Sequence, residues 1–143
     1  MTQVIIYQQT DTETPAVVHP SGQVPIEQLV GMAVPAGSIS EIIEESSLPD
    51  NTFRNAWRWN GVGQNVVINM NAAQQSAIDN IKRVAIEAAV AAEKLELISE
   101  TPDYSPTQIQ QAYSTCKAEI QATTTVEDLK LCMNSFVNTY GVV

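Results

Sequence analysis

His19 is the only histidine of the chain, a residue type that can serve as a general base or a metal ligand. No obvious serine or cysteine partner accompanies it, so a structural place on a strand beside Pro20 is the expected role. One histidine and two cysteines fall short of the roughly four nitrogen or sulfur ligands of a zinc site. Cys116 and Cys132 both fall on the apolar faces of predicted helices, where a free thiol packs as a small hydrophobe. Two buried reduced thiols are therefore expected. A disulfide between adjacent antiparallel helices is feasible if the protein works outside a cell, and a covalent link to a partner chain is then also conceivable.

Glu41, Glu44, Glu45 and Asp50 cluster in sequence, and paired carboxylates can do acid–base work or hold calcium. Their spacing is not that of an EF-hand, and a solvated acidic face is expected. Gly61 and Gly63 are not followed by Lys-Ser/Thr and do not make a phosphate loop. Arg54, Trp57, Arg58 and Trp59 are the residue types that dominate protein-interface hot spots, which makes them candidate partner-binding residues. The alternative is that Phe53, Trp57 and Trp59 form the core of a small sheet. No catalytic, cofactor or metal residues are assigned, and the chain is not expected to be an enzyme.

The elements that must position these residues divide by composition. Five of the seven prolines lie by position 49, in a β-rich half, whereas the chain after residue 70 is Ala-rich and helical. Val4–Gln8 and Ala16–His19 read as a hairpin joined by the polar segment Gln9–Thr14 and closed by Pro20-Ser21-Gly22. Pro25 opens a short helix, Ile26–Val30, and Ser40–Glu44 reads as an exposed or edge strand because its Ile42-Ile43 pair is flanked by glutamates. Phe53, Asn55, Trp57 and Trp59 alternate with Arg54, Ala56 and Arg58, the period of a strand, and Gln64–Met70 reads as its return. From Asn71 to Glu100 no proline or glycine interrupts a predicted long helix. Ile78, Ile81, Ala85, Ala88, Ala92 and Leu95 form a heptad seam about two and a half heptads long, too short to argue a coiled coil. One long helix packing on its own domain is the first reading of this seam; self-association or docking of a partner through Ala85, Ala88 and Ala92 is the alternative. Ser105-Pro106-Thr107-Gln108 signals a second helix start, and Thr124 with Glu127 a third. The predicted fold class is α+β: an antiparallel β lobe with one short helix over residues 1–70, then a three-helix lobe over residues 71–143.

Seven Lys and Arg against sixteen Asp and Glu give a net charge of −9 over 143 residues, and the cations make no run. Such a chain repels phosphate backbones and anionic membranes, so neither nucleic acid nor membrane is an expected partner. No apolar stretch approaches the roughly 20 residues of a membrane span, and Met1–Tyr7 does not read as a secretory signal, so synthesis in a cytoplasm is expected.

Four segments together carry a resemblance: Val17-Val18-His19-Pro20, Val34-Pro35-Ala36-Gly37, Leu48-Pro49-Asp50 and Thr52-Phe53-Arg54-Asn55-Ala56-Trp57. Their order is similar to that in a group of small proteins encoded by tailed bacteriophages near tail-fibre and baseplate genes. Looser matches follow at Val66–Met70 and at Thr124, Thr125, Asp128, Leu129 and Lys130. The resemblance covers nearly the whole chain, though the long helix here carries Ala, Gln and Glu where the group usually has Arg and Lys. It implies a virion structural protein, made in the host cytoplasm, that binds other phage tail-fibre or baseplate proteins or copies of itself. A tail-fibre assembly chaperone and a small acidic regulator are the alternatives.

Overall fold

The computed structural model describes residues 2–9 and 14–141. The fold class is α+β, and the chain divides into two compact units, Met1–Asn69 and Met70–Val143.

In the N-terminal unit β1 (Gln3–Gln8) is the central strand of an antiparallel sheet, flanked by β2 (Ala16–Val18) and β3 (Ile39–Glu44). Register pairs Ile5 with Val18 on one side and with Ile42 on the other. Being central and β-branched, β1 is covered on both faces, and Val4, Ile5 and Ile6 are fully buried. The polar segment read as the hairpin turn falls partly on residues 10–13, outside the described residues. β3 is the edge strand expected of its glutamates. Helix α1 (Ile26–Ala33) packs against β1 with Ile26, Leu29 and Val30 only half-buried.

The strand read over Phe53–Trp59 is corrected. Asn51–Ala56 coils into 3-10 turns with a kink at Phe53, and only Trp57–Arg58 is extended, as β4, pairing with Val67–Ile68, β5. The cause is local: the Asp50 carboxylate accepts the Thr52 amide at 2.8 Å, capping a turn before a strand can form. Burial at Phe53, Ala56 and Trp57 follows the helical i, i+3, i+4 spacing, and only Trp57 and Trp59 keep period two. The return strand shrinks likewise, from the predicted Gln64–Met70 to two residues.

In the C-terminal unit α2 (Met70–Leu97), α3 (Pro106–Ala122) and α4 (Val126–Tyr140) pack pairwise as a three-helix bundle. The buried face of α2 includes Ile78, Ile81, Ala85, Ala88 and Ala92, and its alanines let α3 and α4 approach; Leu95, the last residue of the predicted seam, is exposed instead, near the end of the helix. The predicted continuation of α2 to Glu100 fails. Ser99 takes a left-handed φ of 61°, while Ser99 and Glu100 donate their amides to the carbonyls of Glu96 and Leu95, the hydrogen-bond pattern of a Schellman stop. Ser105 caps α3 with a reciprocal Gln108 bond, as expected. The cap of α4 is Thr125, accepting the Asp128 amide at 3.2 Å, rather than Thr124.

Candidate functional site

The polar residues of the N-terminal unit converge where β2 meets the turns after β3. The 3-10 turns carry Arg54 back over the Trp57 ring, with the guanidinium carbon 4.2 Å from the ring centroid. One guanidinium nitrogen donates to the Pro15 carbonyl at 2.8 Å, which ties the turn to the start of β2. Burial lowers the Arg54 pKa from its ordinary value, although an arginine remains charged at any physiological pH. Trp57 is 3% exposed and donates its indole N–H to the Asp50 carbonyl at 3.1 Å. The cation, the indole and the Asp50 turn therefore hold one another in place.

These residues wall a pocket of about 240 Å³ together with Val17, His19, Glu45, Leu48, Pro49 and Asn51. Its lining mixes apolar side chains with His19, Glu45, Asn51 and Arg54. His19 Nδ1 lies 3.7 Å from Glu45 Oε1, with both side chains largely in solvent, so this contact adds little stability. Among the described residues lining the pocket there is no serine, threonine or cysteine for His19 to activate. Known small-molecule sites run from roughly 300 to 1,000 Å³. A pocket below that range, with a stacked cation beside apolar walls, has the size and chemistry to seat one side chain of another protein.

The other candidate residues are placed elsewhere. Trp59 is 4% exposed in a core with Ile6, Trp57 and Val66, and its indole donates to the Gln64 carbonyl at 3.2 Å. Trp57 and Trp59 thus serve as core residues, and Trp57, though 3% exposed, also lines the pocket. Arg58 is half-buried and donates to the carbonyls of Asn55 and Trp57. Ala85, Ala88 and Ala92 lie in the C-terminal unit, buried in the bundle, and are not on a free surface. The large apolar residues that α2 exposes are Ile86, Val90 and Leu97, away from its core, and Leu95 at the end of the predicted seam. The heptad reading missed the first three because it followed the longest regular repeat, which is buried up to Ala92. Of the acidic cluster, Glu41 accepts the Gly63 amide and Asp50 caps a turn, so two carboxylates have structural duties.

Cys116 and Cys132 are free thiols, the first buried and the second half-buried. Cys116 donates to the Cys132 carbonyl at 3.6 Å, and both line a cleft of about 340 Å³ between α3 and α4. Among the described residues no group of three or more His, Cys, Asp or Glu is placed to hold a metal ion, and no helix is long and apolar enough to cross a membrane. No protein-family profile matches the chain, and neither a curated protein nor a solved structure is significantly similar to it.

Proposed function

We propose that the chain is a protein-binding component of a tailed-bacteriophage particle, associated with the tail fibre or baseplate, and that the Arg54–Trp57 pocket seats a side chain of a neighbouring phage protein. One observation carries this reading. Three of the four segments behind the phage resemblance supply the pocket: Val17 and His19 from the first, Leu48 and Pro49 from the third, Arg54 and Trp57 from the fourth. These residues are up to 40 positions apart in sequence. A shared fold asks for the buried apolar residues and for the Arg54 brace at such positions; it does not ask for an exposed histidine at the same opening. Recognition explains that polar content.

The test is mass spectrometry of particles purified from a phage carrying the gene, with Asn51→Arg as the companion variant. Asn51 is exposed at the pocket rim, so the added bulk should block the opening without touching the core. The chain is expected in wild-type particles and absent from the variant's, with the variant's tryptophan emission unchanged. Abundance in the lysate with absence from particles would favour a tail-fibre assembly chaperone. A complex that dissolves by about 0.5 M salt would favour an acidic regulator whose −9 charge masks a basic target.

A further inference from the structure

The C-terminal unit carries two thiols that the Arg54–Trp57 pocket does not involve. α3 and α4 are joined by only three residues, and Tyr104, just before α3, meets Tyr140 at the end of α4 with ring centroids 4.8 Å apart. The two helices therefore run antiparallel. That places Cys116, in the second half of α3, level with Cys132, in the first half of α4. The 3.6 Å contact from Cys116 Sγ to the Cys132 carbonyl sets the first sulfur beside the backbone that carries the second. A disulfide calls for Cα atoms roughly 4.4–6.8 Å apart, Cβ atoms facing at roughly 3.5–4.5 Å and a near-perpendicular C–S–S–C dihedral, a geometry that neighbouring helices can supply. Both residues line the same open cleft, so a small reagent can reach them without unfolding the bundle.

We propose that Cys116 and Cys132 are an oxidation site, which a low-molecular-weight disulfide of the glutathione type converts into an intrachain bridge between α3 and α4. Cys132, the less buried thiol, reacts first, from the cleft. Its thiolate bonds to one sulfur of glutathione disulfide, the S–S bond breaks, and one glutathione leaves and takes up a proton. Cys116, deprotonated in turn, then bonds to Cys132 Sγ and expels the second glutathione, which also takes up a proton. The pair loses two protons and two electrons, and glutathione disulfide takes up both to become two thiols.

The surroundings make the site slow rather than inert. Burial, then the neighbouring Cys132 and Glu119, pushes the Cys116 thiol up to about 11. Cys132 is raised by burial and by Glu119 and Asp128. A thiol held protonated reacts slowly at neutral pH, so the pair stays reduced in a cytosol and closes under sustained oxidation.

The experiment incubates the full chain with oxidised glutathione at mildly alkaline pH and follows intact mass, alkylation and helix melting. The expected product is a monomer lighter by two hydrogens, without bound glutathione, resistant to alkylation at both cysteines and restored by dithiothreitol. Its helix melting midpoint should rise by on the order of 10 °C, from the closed loop. Cys116→Ser should instead accumulate a mixed disulfide at Cys132, because the resolving thiol is gone. A stable glutathione adduct on the wild-type chain would overturn the proposal, as would covalent dimers in place of the bridge. So would a melting midpoint that falls on oxidation.

Discussion

Replacing Arg54 by methionine keeps the aliphatic stem and removes the guanidinium, which isolates the two contacts that hold the pocket. The hydrogen bond to Pro15 is charge-assisted and part-buried, the class worth about 1.5–3 kcal/mol, and stacking on Trp57 adds about 0.5–2 kcal/mol. Against this stands relief of the desolvation that lowers the arginine's pKa. A net loss of about 2 kcal/mol follows. With a denaturant slope of about 1 kcal/mol per molar urea for so small a unit, the midpoint should fall by about 2 M. Both tryptophans, Trp57 and Trp59, lie in the N-terminal unit, whereas most of the helix lies in the other. Tryptophan emission and ellipticity at 222 nm therefore report the two units separately. Arg54→Met should shift the emission midpoint and leave the ellipticity midpoint in place, and Arg54→Lys should recover less than half of the loss because it lacks the planar fork. An unchanged emission midpoint would refute the claim that the arginine braces the pocket. Equal shifts of both signals would refute separate unfolding of the two units.

Further outcomes follow from the helical unit. Ala77 is fully buried on the same face of α2 as the alanine seam, so Ala77→Leu should lower bundle stability by about 1–3 kcal/mol through overpacking, whereas Ile86→Ala, at a site 58% exposed, should cost under about 0.5 kcal/mol; urea melts by ellipticity check both. Ser99 holds a left-handed backbone, and Ser99→Gly should raise the bundle's stability by about 0.5–1 kcal/mol in the same melts. Thr125→Ala should cost about 1 kcal/mol and Thr124→Ala close to nothing, a contrast that hydrogen exchange in the first turn of α4 would resolve. Alkaline pH should weaken the bundle through Cys116. The unfolded thiol ionises near its ordinary 9.0 and the folded one near 11, so the stabilisation is complete below pH 9 and is lost as pH rises towards 11. Solvent screening at the open cleft holds the size of this loss to about 1–2 kcal/mol. Cys116→Ala should flatten that part of the stability–pH curve.

The long uninterrupted run after residue 70, the Ser105–Gln108 capping box and the glutamate-flanked edge strand were all legible in the sequence. Each is set by neighbours within a few positions, through propensity, a local hydrogen bond or the charge beside an apolar pair. Where two local rules competed, the tertiary structure chose. Phe53, Ala56 and Trp57 suit a helical turn while Phe53, Trp57 and Trp59 suit a strand, and the Asp50 cap together with burial of both tryptophans beside Ile6 divides the segment at Trp57. The alanine seam was visible as a repeat, but repetition does not reveal what covers it; packing of α3 and α4 turned Ala85, Ala88 and Ala92 inward and left Ile86, Val90, Leu97 and the seam's own Leu95 outside. The Arg54–Trp57 pocket was the least legible. Its residues come from segments up to 40 positions apart, and only the pairing of β2 with β1 and the fold-back of Arg54 onto the Pro15 carbonyl bring a histidine, a proline and an arginine to one opening.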